Sequence, residues 1–476
     1  MKKKIFTYFN MLISVACVCF VVSCSSSDDD VPGYDPEYGT GDIPEVVDVW
    51  PENGVADIDT IDSIVVTYNM PIVVTPYNSV KITATDENGT STFYADTAYV
   101  QDGNKMVALF NTIGNTDYTV KIMKPTVHNG KYAFARDYEF GFKIKVYNNF
   151  DPTPFADLQT DLCNANATAK TKAVFAYLVE NFGQNVLSAT MSDPAWDNSM
   201  AEKMYELSGK YPAIHTYDFL HLRWSKPLSS SSWINYMDAT PVEQWTAAGG
   251  LVGAGWHWSV PKTQAEISNL NNYAFYAENN EFNARNALKT SRWEHKQINE
   301  DLDALVTILK NLQDKDITVI FRPLHEASGG WFWWATSGAA QYKKLWQYVY
   351  NYLTDAGVNN LIWVWTSQGD DSNWYPGDEY VDIVGCDVYD TESHASRIDK
   401  WQQLLDITGG KKIITMSECG GMPSIGNMLM SGDMWSWVMP WNGDYMTDAY
   451  NSATFLKSFM NSEKVISRDE LPSFGD

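Results

Sequence analysis

The chain of 476 residues is about three times as long as a typical domain of roughly 150 residues, and its 45% hydrophobic content suffices for a sizeable core. It has 59 Asp and Glu against 34 Lys and Arg, a formal net charge of −25, which argues against nucleic-acid backbones and anionic membrane surfaces as partners. The 19 Trp and 27 Tyr offer flat apolar faces that stack on uncharged rings. Composition therefore favours a multidomain protein with a neutral, ring-bearing ligand such as a sugar.

Residues 1–23 have the pattern of an export signal, with three lysines at positions 2–4 followed by an apolar stretch from about 11 to 22. This stretch is too short to span a membrane comfortably. The sequence Val-Val-Ser-Cys at 21–24 resembles a bacterial lipobox, which implies cleavage before Cys24 and lipid modification of that cysteine. Cleavage removes three lysines and no acidic residue, so the net charge of the mature chain becomes −28.

Residues 24–45 are predicted to form a flexible tether rich in Ser, Asp, Pro and Gly. The run Ser-Ser-Ser-Asp-Asp-Asp at 25–30 resembles the acidic export tag of surface lipoproteins in Bacteroides-like bacteria, although such a run also serves as a plain solvated spacer. We therefore expect an outer-membrane lipoprotein displayed on the cell surface, with the periplasmic face as the alternative.

Residues 46–148 form an all-β segment in which short strands are separated by Asn, Asp and Gly turns, as in a β-sandwich. The predicted strands are 63–68, 79–84, 92–99, 106–110, 117–122 and 139–146. The stretch 51–55 leading into 64–68 and the closing stretch 139–144 resemble bacterial Ig-like domains found beside secreted hydrolases. Whether such a domain acts as a spacer or binds glycan does not follow from its fold.

Residues 150–472 alternate between strand and helix patterns, and the strands are near-continuous apolar runs, as expected when both faces of a parallel sheet are buried. Clear amphipathic helices are predicted at 171–180 and 339–355. Eight strands are predicted, at 186–190, 213–218, 251–258, 318–326, 361–368, 381–389, 412–418 and 435–441. This count predicts an α/β domain with the (β/α)8 TIM-barrel fold.

A (β/α)8 barrel carries its chemistry at the carboxyl ends of its strands. Polar and aromatic residues follow the predicted strands at six such ends: His257, Glu326, Gln368, Tyr389, Glu418 and Trp441. Glu326 and Glu418 end the fourth and seventh strands, which places the two carboxyls across the barrel mouth from each other. A glycosidase needs this arrangement, because one carboxyl protonates the leaving oxygen while the other stabilises or attacks the sugar cation.

The separation of the two carboxyls distinguishes the two outcomes of glycoside cleavage. Enzymes that retain the anomeric configuration hold them about 5–5.5 Å apart, and inverting enzymes leave about 6.5–9.5 Å for a water molecule. The residues alone leave this separation open.

Five blocks around these strand ends carry a resemblance to a known family. They are RPLHEASGGWFWW at 322–334, WVWTSQ at 363–368, WYPGD at 374–378, DIVGCDVY at 382–389 and SE at 417–418. In this order the blocks resemble glycoside hydrolase family 26, whose typical activity is endo-β-1,4-mannanase, and the resemblance covers about 154–471. It implies a retaining hydrolase acting on mannan, glucomannan or galactomannan, with Glu326 as acid/base and Glu418 as nucleophile.

The same resemblance implies roles for five substrate-binding residues. His257 matches a histidine that contacts the sugar being cleaved, and Trp441 matches a tryptophan that forms the floor beneath that sugar. Tyr389 is implied to hydrogen-bond the nucleophile, and His325 to orient the hydrogen bonds beside the acid/base. Trp331 is implied to line the leaving-group side, and we expect at least one of the following residues 333 and 334 to pack in the core.

Two departures from the family pattern leave questions open. Ser328-Gly329-Gly330 stands where some mannanases carry Asn-Gly, and Asn442 stands where some carry Arg. The second change leaves the distant sugar contacts undetermined, and with them the choice between endo action and release of disaccharides from an end.

Mixed-linkage β-glucan and β-1,3-xylan are alternative substrates, and a catalytically silent glycan-binding lipoprotein is the alternative class.

Neither a cofactor nor a metal is expected, because two glutamates supply acid, base and nucleophile. His325-Glu326 lacks the second histidine of a zinc helix motif, since Gly329 occupies that position. Cys386 and Cys419 lie in apolar strand runs and are predicted to be buried, inert thiols. A monomer is the default oligomeric state.

Overall fold

A computed structural model describes residues 34–35, 39–75, 79–86, 89–230, 233–369, 371–389, 394–446 and 450–474. The predicted export signal, the acidic run and Cys24 lie outside these residues. Every helix within the described ranges falls short of the length and apolarity needed to cross a membrane.

The N-terminal region is built from short antiparallel strands. They are β1 Tyr34–Asp35, β2 Gly39–Thr40, β3 Val46–Trp50, β4 Ser63–Tyr68, β5 Val73–Val74, β6 Val80–Asp86, β7 Gly89–Tyr94, β8 Thr97–Gln101, β9 Lys105–Leu109, β10 Asp117–Ile122, β11 Val127–His128 and β12 Tyr138–Lys143. Two four-stranded antiparallel sheets result, with the orders β3-β4-β9-β8 and β12-β10-β6-β7. Alternate residues of β4, β6, β10 and β12 are buried, so that Ile64 and Val66 of one sheet share a core with Val120 and Phe140 of the other.

The single strand predicted at 92–99 is wrong, because this stretch forms β7 and β8, which lie in different sheets. The chain crosses between the sheets at Ala95 and Asp96, whose backbone N–H groups donate to Val80 and Leu109 on either side. Ala95 is fully buried, and the stretch contains no Gly or Pro. Asp96 is therefore the one turn-type residue at the crossover, too weak a signal to divide the stretch into two strands.

The C-terminal region is a closed barrel of eight parallel strands, which confirms the predicted fold class. The barrel strands are β13 Val186–Met191, β14 Ile214–Asp218, β15 Leu251–Trp256, β18 Val319–Pro323, β19 Leu361–Ser367, β20 Ile383–Val388, β21 Ile413–Cys419 and β22 Trp437–Pro440. β13 pairs with both β14 and β22, which closes the sheet, and all these pairings are parallel. Every residue of β13, β15, β19, β20 and β21 is buried, as their continuous apolar sequences predicted.

Helices surround the barrel, and three short strands complete the region. The helices are α1 Ala169–Asn181, α2 Ser199–Ser208, α3 Thr240–Ala247, α4 Ala284–Ala287, α5 Trp293–Gln313, α6 Ala339–Asp355, α7 Ile398–Thr408, α8 Ile425–Ser431 and α9 Ala453–Met460. The short strands are β16 Val260–Pro261, β17 Tyr273–Ala274 and β23 Val465–Ile466. The predicted helix at 339–355 coincides with α6.

A buried ionic network fixes the carboxyl end of β15 to helix α5. The Asp301 carboxylate accepts a hydrogen bond from Trp258 Nε1 at 2.8 Å and pairs with the Arg223 guanidinium. Asp301 is fully buried and Arg223 nearly so. Because Trp258 directly follows His257, this network positions a residue predicted to contact substrate.

We expect Asp301→Ala to lower the free energy of unfolding by about 3 kcal/mol, because it leaves the buried Arg223 charge with only the partly exposed Glu300, 3.3 Å away, as an acidic partner and removes the acceptor of Trp258 Nε1. Urea denaturation followed by circular dichroism measures this loss. Lys296→Ala is the matched control, since Lys296 is highly exposed on the same helix and pairs with Glu300 at 3.8 Å; it should change stability by no more than about 0.5 kcal/mol. Equal effects of the two substitutions would contradict the proposed role of Asp301.

Candidate active site

Glu326 is presented by a strained turn. The predicted fourth strand extends to 326, but β18 ends at Pro323, and Leu324 and Glu326 adopt the left-handed φ values of +50° and +53°. Non-glycine residues rarely occupy this region, and each such conformation costs about 1–3 kcal/mol, a strain that concentrates at functional sites. The turn leaves the Glu326 side chain buried, with 7% of the residue exposed.

Two neutral donors hold the Glu326 carboxyl. Trp331 Nε1 donates to Oε2 at 2.8 Å, and Gln368 Nε2 donates to Oε1 at 2.7 Å. The Trp331 ring lies against Gly329, where an added Cβ would stand 2.1 Å from a ring carbon. Trp331 is 40% exposed, so its indole fixes the carboxyl with one edge and offers a face to a ligand.

The loop that carries Trp331 is tied to the neighbouring strand through Asp371. The Asp371 carboxylate accepts hydrogen bonds from Ser328 Oγ at 2.7 Å, from Ser367 Oγ at 2.5 Å and from the Gln368 backbone N–H at 3.0 Å. Each residue of the Ser-Gly-Gly sequence at 328–330 therefore has a structural role: Ser328 donates to Asp371, Gly329 leaves room for the indole, and Gly330 adopts a left-handed φ of +81°.

Glu418 lies in β21 and is buried, with both carboxyl oxygens hydrogen-bonded. Tyr389 Oη donates to Oε1 at 2.6 Å, and the Arg322 guanidinium donates to Oε2. The same guanidinium pairs with Asp387 at 2.9 Å, and Asp387 also accepts from Ser417 Oγ at 2.7 Å. Donors on both oxygens favour the ionised form of Glu418.

Carboxylate oxygens of Glu326, Asp387 and Glu418 lie within 4.8 Å of one another. This separation of Glu326 from Glu418 is below the roughly 6.5–9.5 Å that an inverting glycosidase needs for its water, and suits direct attack. Within the described ranges these three carboxyls are also close enough together to hold a cation. The buried Arg322 guanidinium, however, already pairs with two of the three carboxylates and supplies positive charge there.

The three acids share protons. Burial raises the pKa of Glu418 to about 7, with Asp387 adding and Arg322 opposing, and burial raises the pKa of Asp387 to about 8 against the same guanidinium. Burial also raises the pKa of Glu326, and the charge on Glu418 raises it further. Because Arg322 and Tyr389 both donate to Glu418, we place the negative charge there and a shared proton on Glu326 and Asp387.

His257 is held at the site by Asp218. Asp218 accepts hydrogen bonds from His257 Nδ1 at 2.5 Å and from its backbone N–H at 3.1 Å. Burial alone would lower the pKa of His257, but the Asp218 carboxylate outweighs burial and raises it. With Nδ1 engaged, Nε2 is the ring atom that remains for a substrate hydroxyl. The His257 ring lies 5.8 Å from that of Trp441, so the two residues predicted to contact one sugar are brought together.

The His325 imidazole is buried next to His257 and is neutral. Burial, with the nearby Arg322 and His257, lowers its pKa well below the usual range. Its ring lies 4.5 Å from that of His257, its carbonyl accepts from Trp334 Nε1 at 2.9 Å, and its Nδ1 is buried without a partner among the described residues. The structure thus places His325 beside His257.

The sequence predictions did not include three charged residues that the structure places beside the predicted site residues: Arg322, Asp387 and Asp218. The available signal was a charged residue inside an apolar strand, as in VIFRPL at 319–324 and VGCDVY at 384–389. A buried charge is costly unless it is paired, so its presence in such a run indicates an ionic network. Trp333 and Trp334 are both fully buried, as expected for at least one of them.

A cleft of about 700 Å³ opens beside His257 and Trp441. It is walled by the loops that follow β13, β14, β15 and β22, the first, second, third and eighth barrel strands. Aromatic and amide side chains line it: Trp196, Trp233, Tyr276, Asn235 and Asn442. Such a mixture of flat apolar faces and hydroxyl-binding groups suits a sugar chain.

A (β/α)8 barrel with paired glutamates after its fourth and seventh strands defines the class of barrel-type glycoside hydrolases. The sequence model of glycosyl hydrolase family 26 matches residues 163–470. The chain belongs to this family.

Known proteins similar to the chain include a mannan endo-1,4-β-mannosidase of Thermothelomyces thermophilus, 32% identical over 68% of this chain and 66% of that relative. Mannan endo-1,4-β-mannosidase A of Piromyces sp is 30% identical over 67% of this chain and 51% of that relative. The chain therefore spans half to about two thirds of the length of these two curated relatives.

Two solved structures are also similar. The family 26 domain of an endo-β-mannanase/endo-β-glucanase from Prevotella bryantii has a TM-score of 0.61 and 34% identity, over 66% of this chain and all of that chain. A β-mannanase from a symbiotic protist of the termite Reticulitermes speratus, complexed with a gluco-manno-oligosaccharide, has a TM-score of 0.58 and 32% identity, over 66% of this chain and 98% of that chain.

We expect Glu418→Gln to lower the pKa of Glu326, because it removes a negative charge that adds to burial in raising that pKa. A ¹³C NMR titration of the glutamate carboxyl carbons measures the change. Glu243→Gln is the control, since Glu243 lies on the surface and pairs with Lys315. An unchanged or higher pKa of Glu326 in Glu418→Gln would contradict the coupling.

Proposed function

We propose that the protein is a retaining endo-β-1,4-mannanase that acts on mannan, glucomannan or galactomannan. The observation that carries the proposal is the approach of the Glu326 and Glu418 oxygens to within 4.8 Å, in a site where Arg322 and Tyr389 hold Glu418. Support for the substrate comes from the relatives, which are named as mannan endo-1,4-β-mannosidases, and from the gluco-manno-oligosaccharide in one similar structure.

In the first step, Glu418 attacks the anomeric carbon of the sugar held between His257 and Trp441. The glycosidic C–O bond breaks, its electron pair moves to the leaving oxygen, and Glu326 transfers its proton to that oxygen. Trp331, hydrogen-bonded to Glu326, is then the aromatic face nearest to the leaving chain. The products are a glycosyl ester on Glu418 and an oligosaccharide with a new non-reducing end.

In the second step, Glu326 is ionised and takes a proton from a water molecule, whose oxygen attacks the anomeric carbon of the ester. The ester bond breaks and its electron pair returns to Glu418, which restores both carboxyls. Arg322 and Tyr389 stabilise the released Glu418 carboxylate through the hydrogen bonds they already make. Two inversions leave the product with the β-configuration of the substrate.

We expect the purified protein to release mannooligosaccharides from linear β-mannan and galactomannan, with little product from mixed-linkage β-glucan or β-1,3-xylan. Glu418→Ala and Glu326→Gln should each lower kcat on mannan by about 10⁴-fold or more, while Glu243→Gln leaves it unchanged. Chromatography gives the product lengths, and ¹H NMR of the first product gives its anomeric configuration. An initial α-anomer, or turnover retained in Glu418→Ala, would contradict the mechanism.

We also propose that the N-terminal sandwich is an Ig-like domain. Its strand orders β3-β4-β9-β8 and β12-β10-β6-β7 support this, because they correspond to the A-B-E-D and G-F-C-C′ sheets of Ig-like folds. Asn149, which directly follows the sandwich, contacts the barrel domain at α8, where its backbone N–H donates to the Leu429 carbonyl at 2.9 Å.

We further propose that Cys24 is lipidated and anchors the protein in the outer membrane. Support comes from the lipobox-like sequence at 21–24 and the acidic run that follows it. Cys24→Ala should move the protein from the membrane fraction to the soluble fraction, as measured by fractionation and immunoblotting, because it removes the acceptor thiol. Cys163→Ala is the control and should stay with the membrane. Persistence of Cys24→Ala in the membrane fraction would refute the anchor.

A further inference from the structure

Asp371 is a buried acidic residue in the loop that follows the fifth barrel strand, β19. Only 3% of the residue is exposed. A buried carboxylate is costly unless hydrogen-bond donors replace the water that it has lost. Its oxygens accept hydrogen bonds from three neutral donors: Ser328 Oγ, Ser367 Oγ and the Gln368 backbone N–H. An uncharged side chain would fill the same space at lower cost, so packing alone does not account for a carboxylate here.

One oxygen of Asp371 joins two loops. Oδ2 accepts from Ser328 Oγ at 2.7 Å and from the Gln368 backbone N–H at 3.0 Å, so it connects the loop after the fourth strand with the end of the fifth. The backbone of Asp371 is held as well. Its N–H donates to the Gly369 carbonyl at 2.9 Å, and its carbonyl accepts from the Trp374 N–H at 2.7 Å. The carboxylate is therefore an acceptor in a fixed position.

Both contacts of this oxygen lead to Glu326. Gln368 donates from its side chain to Glu326 Oε1 at 2.7 Å, while its backbone N–H is bound to Asp371. Ser328 lies three residues before Trp331, whose Nε1 donates to Glu326 Oε2 at 2.8 Å. The two donors to the Glu326 carboxyl thus come from different loops, and Asp371 Oδ2 is the atom to which both loops are bound.

We propose that Asp371 is a positioning residue for the acid/base. By fixing Gln368 and the loop that carries Trp331, it keeps the Glu326 carboxyl in the place from which it protonates the leaving oxygen. The inference rests on the proposed function and extends it to a residue that acts only through its neighbours. Glu326 stands on a left-handed turn, and such strained conformations persist only when surrounding contacts enforce them. A small displacement of a catalytic group is enough to slow the reaction strongly.

This role predicts a dependence on the leaving group. A sugar hydroxyl leaves only when it is protonated, so cleavage of a mannooligosaccharide depends on the position of Glu326. A dinitrophenolate leaves without a proton, so formation of the glycosyl ester from a dinitrophenyl glycoside depends on Glu418 and not on Glu326. Loss of Asp371 should therefore slow cleavage of the oligosaccharide far more than cleavage of the aryl glycoside.

The test measures kcat/KM on mannotetraose and on dinitrophenyl β-mannobioside. We expect Asp371→Ala to lose about 100-fold on mannotetraose, the size of the effect of a misplaced catalytic group, and less than about threefold on the aryl substrate. Asp371→Asn should recover most of the lost activity, because its amide oxygen replaces Oδ2 and its NH2 group donates to Ser367 Oγ. Glu379→Gln is the matched control, since Glu379 is an exposed acid of the same loop, and it should match wild type on both substrates.

Ser328→Ala tests the same contact without changing any charge. It releases the loop of Trp331 from Asp371 and so weakens the Trp331 hydrogen bond to Glu326. Burial and the charge on Glu418 raise the pKa of Glu326, and the Trp331 donor opposes them, so weakening this donor should raise the pKa further. The titratable groups that face Glu326 remain unchanged: Glu418, Arg322, Asp387 and Tyr389.

We expect Ser328→Ala to lose about tenfold in kcat/KM on mannotetraose, with little change on the aryl substrate. The basic limb of its pH profile on mannotetraose should move to higher pH, because the acid stays protonated longer. A purely structural role of Ser328 would leave this limb in place.

Two results for Asp371→Ala overturn the inference while the proposed function stands: equal losses on both substrates, or wild-type rates on both. Thermal denaturation reports whether each variant is folded. If Asp371→Ala is unfolded, Ser328→Ala decides, and the absence of a selective loss in that variant overturns the inference. If wild type cleaves neither substrate, the proposed function itself fails, and the inference fails with it.

Discussion

The arrangement of the barrel mouth depends on one buried guanidinium. Arg322 projects from the fourth strand and pairs with both Glu418 and Asp387, which lie on the seventh and sixth strands. Three carboxyls that approach within 4.8 Å cannot all be ionised beside a single cation, so the group must hold a proton at neutral pH. The hydrogen bonds to these carboxyls determine which of them carries the negative charge. They therefore determine which glutamate is the nucleophile and which is the acid/base.

The surrounding contacts maintain the different roles of Glu418 and Glu326. Glu418 lies within strand β21 and accepts hydrogen bonds from two side chains. Glu326 lies on a strained turn and accepts hydrogen bonds from the neutral side chains of Trp331 and Gln368. Asp371 joins the loops that supply those donors, so the strained turn is supported from the neighbouring strand. Glu326, which changes its protonation state twice in each turnover, has no cationic donor, and burial together with the charge on Glu418 raises its pKa, which favours the protonated form that the first step requires.

The sequence predicts the barrel well because eight strands buried on both faces appear as continuous apolar runs, and a carboxyl following such a run has few structural explanations. It fails at contacts between distant segments. Residues 92–99 contain a crossover that the sequence does not mark, because the buried Ala95 and the single turn-type residue Asp96 resemble parts of one strand. Asp218 accepts a hydrogen bond from His257, which lies 39 residues later in the sequence, and no local pattern predicts that pair. The cleft beside His257 and Trp441 is formed by the loops after four strands. These loops are close together only because the sheet is closed.

The distribution of tryptophans also has a spectroscopic consequence. Most indoles are buried in the core of the barrel domain, as Trp256, Trp258 and Trp363 are, and their fluorescence should be blue-shifted and shielded from aqueous quenchers. Trp233, Trp331 and Trp50 are the strongly exposed ones in the described ranges. Two of these three flank the carboxyl pair, so iodide quenching reports on the occupancy of the mouth against a nearly constant background. The protein therefore contains its own optical probe of ligand binding.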